Sequence, residues 1–327
     1  MARVAVQLLS WNGSQYFSYL LDSLKNQTYT DWFLFVGDNG STTEETAAMQ
    51  KAIKESGIKN VLFESFTPNA GFAGGHNRLF AKHESEFVLL LNDDAILEPD
   101  YISSLIDFCD QHPEVSSASG RIYRWDFDHK DNARGGKTDI IDSFGLSLAK
   151  NGKVSDVLAG ETDTAASQKH ADRKVFGVSG CLPLYRRKDV LKTSPNGTLF
   201  DPTFVTYKED VELAFRMQDA GFLSFTVGGA TAHHRRSFNS QSRSKQSFAN
   251  IFQSYRNHLW ILIMHGFGKK SGLSCVLVAW FEFRKMVYWL VKRPVVVFRS
   301  FAETIYNLRN LLRKRAFFAK LRDKSQV

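Results

Sequence analysis

The chain has 327 residues, 43% of them apolar, so it can bury a sizeable core and is not expected to be disordered throughout. Its net charge of +8 is uneven, because residues 241–327 hold 17 of the 42 lysines and arginines but only three of the 34 acidic residues. This split predicts an acidic body and a basic C-terminal region that seeks an anionic surface.

The three cysteines, Cys109, Cys181 and Cys275, are far apart in sequence, and none belongs to a Cys-x-x-Cys pair. Neither a disulfide framework nor a zinc site is indicated, and a reducing cytosol fits best. The apolar run from Val4 to Leu9 is too short for the core of a signal peptide, so export is not predicted.

The N-terminal part alternates short β-rich runs with helical stretches, which predicts a mostly parallel, doubly wound α/β sheet. In such sheets ligands bind beyond the carboxyl ends of the strands, so the residues after each strand are the ones to search for chemistry. The predicted strands are Val4–Leu9, Trp32–Val36, Val61–Phe63 and Phe87–Leu91, and the predicted helices are Tyr16–Lys25, Thr43–Glu55 and Gly75–His83.

Residues 126–174 are polar and rich in Gly, Asp and Lys, with only short apolar islands. We interpret them as an insertion with small strands and a mobile loop that could act as a lid. After this insertion the pattern predicts a helix with an acidic start at Lys208–Asp219 and a strand near Phe222–Val227.

Beyond residue 240, apolar and aromatic residues are interleaved with arginine and lysine. The uncharged run at 271–281 is about half of the roughly 20 residues needed to span a bilayer. A helical wheel instead predicts an amphipathic helix in the membrane interface, with the aromatic residues packing against the core or a second subunit as the open alternative. Its apolar face is Phe301, Ile305, Leu308, Leu312, Ala316 and Ala319.

A buried apolar strand ends abruptly in the side-chain oxygens of Asn92, Asp93 and Asp94. Carboxylates there are costly unless a cation or polar ligand compensates them. Mg²⁺ or Mn²⁺, held by one or two carboxylates and substrate phosphates, would do so. A solvated turn or a helix N-cap before Pro99 is the alternative for this motif taken alone.

Two further clusters carry groups that can do chemistry. Glu209 and Asp210 precede an amphipathic helix, and one of them could be a general base, although carboxylates at a helix N-terminus also simply answer the helix dipole. His233 and His234 follow a strand, and one imidazole could be a third metal ligand, with a surface position as the default.

The segment Asn69–Asn77 is glycine-rich and precedes a helix, so its backbone could approach a ligand closely. It lacks the Gly-Lys-Ser/Thr of a P-loop and is not a clean Gly-x-Gly-x-x-Gly. Nucleoside triphosphate hydrolysis and dinucleotide binding therefore lose support.

In this order, five motifs resemble those of family-two inverting GT-A glycosyltransferases, in particular the bacterial rhamnosyltransferase-like members. The resemblance covers about residues 3–240 and implies a GT-A catalytic domain at 1–240, followed by a basic amphipathic helical region at 241–327 for membrane association or dimerisation. The motifs are VAVQLLSWNG, VGDNGST, NAGFAGGHN, LLLNDDAILEPD and YKEDVELAFRMQDAGF followed by HH.

The resemblance implies a nucleotide site at the first three motifs. Asp38 would read the base of the donor, and Ser10 and Asn12 would line the nucleotide pocket. Asn69 and Asn77 would shape the wall near the ribose and the diphosphate.

It also implies a metal site. Asp94 corresponds to the last position of the Asp-x-Asp motif of the family, whose first position here is Asn92, and Asp93 would lie nearer the donor sugar or ribose. His234 aligns better than His233 with the late metal-binding histidine of the family. The implied cofactor is Mg²⁺ or Mn²⁺.

On the acceptor side, Asp210 corresponds to the catalytic base, in a pair with Glu209. Gly180 resembles the small-residue turn below the acceptor site. Four residues of the polar insertion also look like the rhamnosyltransferase pattern, namely Asp142, Gly145, Asp156 and Asp163.

The implied activity is an inverting transfer of one sugar, with dTDP-rhamnose as the leading donor, to a hydroxyl of a lipid-linked or polysaccharide acceptor in cell-surface glycan assembly. The expected location is cytoplasmic, peripheral on the inner face of the plasma membrane, with an anionic membrane surface or a homodimer partner and no nucleic acid.

Other functions remain open at this point. A sugar-nucleotide pyrophosphorylase should show a glycine- and arginine-rich loop after the first strand, where SWNGSQ stands here. A nucleic-acid-binding protein would explain the basic tail but not the acidic strand ends. A catalytically dead scaffold is disfavoured by Asp94, Asp210 and a nearby histidine.

Overall fold

A ten-stranded sheet forms the centre of the protein, which is described by a computed structural model covering residues 2–163, 172–235, 247–266 and 272–324. Its N-terminal half has four parallel strands in the spatial order 4-1-2-3. They extend one or two residues beyond the predicted carboxyl ends, into the polar residues. These strands are β1 (Val4–Ser10), β2 (Trp32–Asp38), β3 (Val61–Ser65) and β4 (Phe87–Asn92).

Three helices connect these strands, α1 (Phe17–Lys25), α2 (Thr43–Ser56) and α3 (Gly71–Phe80). A short 3-10 turn precedes α1, which buries apolar side chains at helical spacing on one face. Helix α3 begins four residues before its predicted start. Gly71 has a φ of +71°, and a Cβ there would lie 2.3 Å from the Val205 carbonyl oxygen, so glycine is required.

The remaining elements follow in chain order. They are β5 (Ala95–Leu97), α4 (Tyr101–Gln111), β6 (Val115–Trp125), β7 (Lys137–Ser143), β8 (Leu146–Leu148), β9 (Val154–Asp156), β10 (Arg173–Val175), β11 (Leu184–Arg186), α5 (Arg187–Thr193), α6 (Glu209–Asp219), β12 (Leu223–His234), α7 (Phe248–His265), α8 (Gly272–Lys292) and α9 (Pro294–Lys324). The C-terminal half of the sheet is mixed: β11 runs antiparallel to β4 and β6, and β12 runs parallel to β6 and antiparallel to β5 and β10.

The segment predicted as an insertion, residues 126–174, begins with a short 3-10 turn. It then contributes β7, which pairs with the end of β6, and the separate hairpin of β8 and β9. Residues 164–171, within the part predicted to be a loop or lid, lie outside the described residues.

Strand β12 is longer than predicted and includes both histidines of the HH motif. Its register against β6 shifts at the small residues, because Val227 lies opposite Gly120 whereas Thr231 lies opposite Arg121. The bulge lets the strand continue to His234. Since successive residues of a strand face opposite sides, His233 and His234 point to different faces of the sheet.

Helices α7 and α9 pack against the body of the protein across the boundary predicted at residue 240. They share a core with the segment around α6, which we call the second core. Its members from the body include Phe200, Phe204, Leu213 and Met217, and its members from the helices are Trp260, Ile261, Met264, Leu311 and Phe318.

Helix α9 has two apolar faces. One is buried and carries Leu311 and Phe318. The face expected from the helical wheel is a different one, and its members Phe301, Ile305 and Leu312 are exposed. No helix within the described residues combines the length and the apolarity needed to cross a bilayer.

A buried ion pair joins α9 to the body. The Nζ atom of Lys314 lies 2.5 Å from Oδ2 of Asp201, and both side chains are 7% exposed. Asp201 also accepts hydrogen bonds from the backbone N–H and the hydroxyl of Thr203. Breaking one partner of such a pair leaves an uncompensated buried charge.

We predict that Lys314→Met lowers the free energy of unfolding by about 3–5 kcal/mol, as measured by urea denaturation, because the Asp201 carboxylate then remains buried without its cation. The double variant Lys314→Met, Asp201→Asn should recover part of the loss. Lys320→Met, on the exposed side of the same helix, is the control and should be nearly neutral. An unchanged midpoint for Lys314→Met would contradict the prediction.

Candidate active site

The polar ends of β1 and β4 meet at one edge of the sheet. Ser10, the last residue of β1, donates its hydroxyl to Oδ2 of Asp93 at 2.6 Å. Asp93 and Asp94 form the two-residue turn from β4 to β5. A Cβ on Gly13 would lie 2.0 Å from Asp93 Oδ2, so the glycine of the SWNG motif makes room for this carboxylate. Ser10 and Asp93, both predicted to bind the nucleotide-sugar donor, are therefore in direct contact.

His234 lies next to this turn, because its partner across β12 and β5 is Ala95, the residue after Asp94. Its Nε2 atom is 3.2 Å from Asp94 Oδ1, and its Nδ1 atom is 2.8 Å from Asp142 Oδ2 on β7. Burial alone would lower the pKa of His234, but Cys181, Asp94 and Asp142 outweigh it and hold the pKa well above its usual value.

Asp94 and His234 fit a divalent cation as a pair of protein ligands. Nε2 of His234 faces the Asp94 carboxylate, and Asp142 holds the other ring nitrogen, which is the usual support for a metal-binding histidine. Within the described part of the chain, no three His, Cys, Asp or Glu side chains are grouped to hold a metal ion by themselves. A cation here would therefore depend on oxygen ligands from a bound diphosphate, as Mg²⁺ sites commonly do.

His233 faces the other side of the sheet. Its Nε2 atom lies 3.2 Å from Oε1 of Glu98, and its ring lies 5.8 Å from that of Tyr123. The hydrogen bond with His233, aided by Lys137, lowers the pKa of Glu98 to about 2 despite partial burial. Of the two histidines, His234 is the one that contacts Asp94.

Asp93 sits in an unfavourable environment for a negative charge. Burial, together with the neighbouring Asp94 carboxylate, raises the pKa of Asp93 to about 7, although the Ser10 hydroxyl counteracts this shift. A cation or a sugar hydroxyl placed beside Asp93 would relieve the crowding of these two carboxylates.

The second acidic cluster lies at the start of α6. Asp210 accepts hydrogen bonds from the Gly180 N–H at 3.0 Å and from the Val211 N–H at 2.7 Å, and burial raises its pKa. Glu209 is buried, and burial and the neighbouring Asp210 raise its pKa to about 8. The two backbone N–H groups that face the Asp210 carboxylate favour the charged form of Asp210.

The segment of Gly180 and Cys181 links the two clusters. Gly180 contacts Asp210, with 3.3 Å between the Asp210 Cβ and an ideal Cβ on the glycine. The next residue, Cys181, accepts the Asn92 N–H through its carbonyl at 3.3 Å, and its thiol contacts His234. Asp210 and His234 are thus connected through two adjacent residues, Gly180 and Cys181.

Asp38, which was predicted to recognise the nucleobase of the donor, ends β2 beside Ser10 of β1. Its carboxylate is buried and accepts hydrogen bonds from Thr46 Oγ1 at 2.6 Å and from the Ser41 N–H at 3.0 Å. Burial would raise the pKa of Asp38, but these hydrogen bonds outweigh it and lower the pKa. Asp38 is therefore a fixed, charged group at the carboxyl end of β2.

Asn12, Asn69 and Asn77 hold backbone in place. Asn12 accepts the Thr42 N–H at 3.1 Å, which joins the loops after β1 and β2, and Asn69 accepts the Gly71 N–H at 2.8 Å. The amide of Asn77 donates to and accepts from the backbone of Phe200. Its contact is therefore within the fold, and its part in a nucleotide wall stays a prediction.

Asn39 is a residue of this region to which the sequence patterns assigned no role. Its side chain accepts the Ala70 N–H at 3.0 Å and donates to the Gly71 carbonyl at 3.1 Å, so it ties the loop after β2 to the glycine-rich segment. Arg235 is another, since its backbone N–H donates to the Asp94 carbonyl at 2.9 Å and its side chain contacts the Tyr16 hydroxyl. The sequence offered one indication of these two residues, which is that Asn39 lies within the VGDNGST motif and Arg235 directly follows the HH motif.

The sequence profile of a family described as "Glycosyl transferase family 2" matches residues 8–191, more than half of the chain. Among curated relatives, protein CgeD of Bacillus subtilis is 25% identical over 121 residues, which is 35% of this chain and 28% of that protein. The teichoic acid poly(glycerol phosphate) polymerase of Staphylococcus epidermidis is 28% identical over 94 residues, which is 29% of this chain and 13% of that protein. The matched part thus spans less than a third of either relative.

Solved structures share the fold. GalNAc-T7 with UDP, GalNAc and Mn²⁺ has a TM-score of 0.61 at 12% identity, over 81% of this chain and 49% of that one. The mannosyltransferase PcManGT of Pyrobaculum calidifontis with GDP-Man and Mn²⁺ has a TM-score of 0.55 at 13% identity, over 99% and 87%. S. aureus TarS 1–349 with UDP-GlcNAc has a TM-score of 0.57 at 14% identity, over 99% and 91%. The predicted α/β GT-A fold with C-terminal helices is confirmed.

We predict that Asp142→Asn weakens the binding of Mn²⁺ in the presence of UDP by about 10–100-fold, because the His234 ring loses the carboxylate that orients it. Titration of free Mn²⁺ by electron paramagnetic resonance measures this affinity. Asp139→Asn is the matched control, since Asp139 lies on the same strand but pairs with the exposed Arg134. Equal affinities for the wild type and Asp142→Asn would show that Asp142 does not support a metal ligand.

Proposed function

Because this chain belongs to glycosyl transferase family 2, we propose that it transfers one sugar from a nucleoside-diphosphate donor to an acceptor hydroxyl with inversion at the anomeric carbon. The observation that carries the proposal is the link through Gly180 and Cys181, which joins Asp210 to the pair of Asp94 and His234. Family membership favours glycosyl transfer over the pyrophosphorylase and nucleic-acid-binding alternatives.

On the donor side, Asp94 and His234 would hold Mg²⁺ or Mn²⁺. When bound, such an ion would supply a Lewis acid that neutralises the charge growing on the leaving diphosphate. Asp142 keeps the His234 ring in the orientation that presents Nε2 to this position. Ser10 would orient Asp93 toward the donor sugar or ribose. Asp38 would contact the nucleobase of the donor.

On the acceptor side, Asp210 would take the proton of the attacking hydroxyl. The Gly180 and Val211 N–H groups fix the orientation of its carboxylate, and burial raises its pKa and so its basicity. Attack from the face opposite the leaving diphosphate gives a single displacement and an inverted product. One well-placed carboxylate is enough, in contrast to the pair of carboxylates used in glycoside hydrolysis.

The acceptor and the donor sugar are proposed at the level of class. A relative named teichoic acid poly(glycerol phosphate) polymerase and the likeness to TarS support an acceptor in cell-surface glycan assembly, either lipid-linked or polysaccharide. The motif resemblance supports dTDP-rhamnose as the first donor to test. UDP-GlcNAc and GDP-Man, bound by structural neighbours, are the next.

A screen of donor hydrolysis and thermal stability with and without Mn²⁺ tests the proposal directly. A nucleotide sugar that is hydrolysed and raises the melting temperature only when Mn²⁺ is present would support the donor site and its metal. A chain that neither binds nor hydrolyses any of these donors would contradict the proposal.

We predict that Asp210→Asn lowers kcat for transfer by about 10²–10⁴-fold, because the asparagine cannot accept the acceptor proton. The affinity for the donor with metal should stay within about twofold of the wild type. Asp107→Asn, an exposed substitution on α4, is the control for handling and folding. Wild-type turnover by Asp210→Asn would remove Asp210 from the role of base.

We further propose that an anionic membrane surface covers the exposed apolar faces of α8 and α9. Ile305 is 70% exposed and Tyr306 is 89% exposed, and apolar side chains are rarely left in water in such number. Arginines and lysines flank them, which suits an anionic leaflet at about 1 kcal/mol for each basic residue near the surface. The exposed residues include Trp280, Phe283, Val291, Phe298, Ile305, Tyr306 and Leu312.

We predict that the double variant Ile305→Glu, Leu312→Glu reduces flotation with phosphatidylglycerol-containing vesicles at least about tenfold, because both charges replace apolar area that would enter the interface. Leu191→Glu, a comparably exposed leucine on α5, should float as the wild type does. Unchanged flotation of the double variant, with a loss of dimer mass in sedimentation, would assign this face to a second subunit instead.

A further inference from the structure

Asp210, the proposed general base, lies two residues after a stretch of backbone with positive φ angles. Tyr207 and Lys208 have φ values of +66° and +69°, in the left-handed region that residues with a Cβ enter at a cost of about 1–2 kcal/mol each. Lys208 is also the residue before the first turn of α6, and its carbonyl accepts the N–H of Glu212 at 2.9 Å. The conformation of these two residues therefore sets the direction of the turn that carries Asp210.

Asn257 of α7 forms hydrogen bonds with the backbone of this stretch. Its side-chain amide is fully buried and donates to two successive carbonyls, that of Thr206 at 3.0 Å and that of Tyr207 at 2.7 Å. The amide thus binds the carbonyl that precedes the left-handed pair and the carbonyl between its two members. Strained backbone persists only where the surroundings hold it, and these two hydrogen bonds supply such a restraint.

Arg256 fixes which way the Asn257 amide faces. The guanidinium donates to Oδ1 of Asn257 from Nη2 at 2.9 Å, so the NH₂ group must point toward the loop. Arg256 is itself held by Glu303 of α9 at 2.9 Å and lies over the Trp260 ring at 4.3 Å. These contacts, from Glu303 through Arg256 and Asn257 to the loop before α6, form what we call the clamp.

We propose that Asn257 is a positioning residue for the reaction, which acts on Asp210 through the backbone of residues 206–208. This inference rests on the proposed function, because it takes Asp210 as the base. It gives the C-terminal helices a part in catalysis that is separate from any membrane contact. The restraint concerns the acceptor side, so the donor site at Asp94 and His234 should be unaffected.

The test is Asn257→Asp, which keeps the shape of the side chain but places an oxygen against the two carbonyls. We expect kcat for transfer to fall by about 10–100-fold, since a displacement of about 1 Å at a reacting group has an effect of this size. KM for the donor should change less than about twofold. Asn26→Asp is the control, because Asn26 is an exposed residue at the end of α1, away from α6 and α7.

A double-mutant cycle separates positioning from a general loss of structure. In the Asp210→Asn background, Asn257→Asp should slow transfer by less than about twofold, because the group that it positions is already gone. Full multiplication of the two effects, or a wild-type kcat for Asn257→Asp, would overturn the inference. If Asp210→Asn itself has wild-type activity, the proposed base fails, which is a distinct result.

A second variant covers the case in which Asn257→Asp does not fold. Asn257→Ser removes the amide without placing a carboxylate against the two carbonyls. It should also lower kcat, by about tenfold, with the same insensitivity in the Asp210→Asn background. Melting temperature and donor affinity, measured on both variants, establish that the compared proteins are folded. A wild-type kcat for folded Asn257→Ser would count against the clamp.

Discussion

The pairing of β12 with β5 and β6 is the constraint on which the candidate site depends. Opposite Ala95 stands His234, so the histidine is delivered beside the carboxylate of Asp94. The bulge between Val227 and Thr231 decides which face the histidine points to, since a one-residue slip in a strand moves every side chain to the other face. A short run of small residues therefore governs whether His234 can meet Asp94.

The two acidic clusters differ in the groups that surround their buried carboxylates. Asp93 and Asp94 are crowded at a strand end, where charge is costly without a cation, so this cluster suits a phosphate-bound metal. Glu209 and Asp210 are also crowded, but hydrogen bonds from backbone N–H groups favour charge on Asp210, whereas Oε2 of Glu209 has no hydrogen-bond partner in the structure. These different surroundings suit the metal binding proposed for the first cluster and the proton transfer proposed for the second.

The C-terminal helices are joined to the body by polar contacts as well as by the second core. Lys314 pairs with Asp201, His265 lies 2.7 Å from Asp219, and Asn257 holds the loop before α6. Buried pairs of this kind contribute less to stability than an apolar core of the same volume, yet breaking one is costly. Their arrangement around α6 couples the integrity of these helices to the position of Asp210.

Much of this protein followed from the sequence by itself. The strands that end in Ser10, Asp38 and Asn92 were predictable because apolar runs and the polar residues that stop them are local signals, and the order of five motifs predicted the family and the fold. The resemblance favoured His234 over His233, and the register of β12 places His234 beside Asp94. Only the tertiary structure decided that the buried face of α9 is not the one seen on the helical wheel, and that Asn257 reaches the loop before Asp210. These depend on strand register and on packing between residues far apart in the chain, which no local pattern encodes.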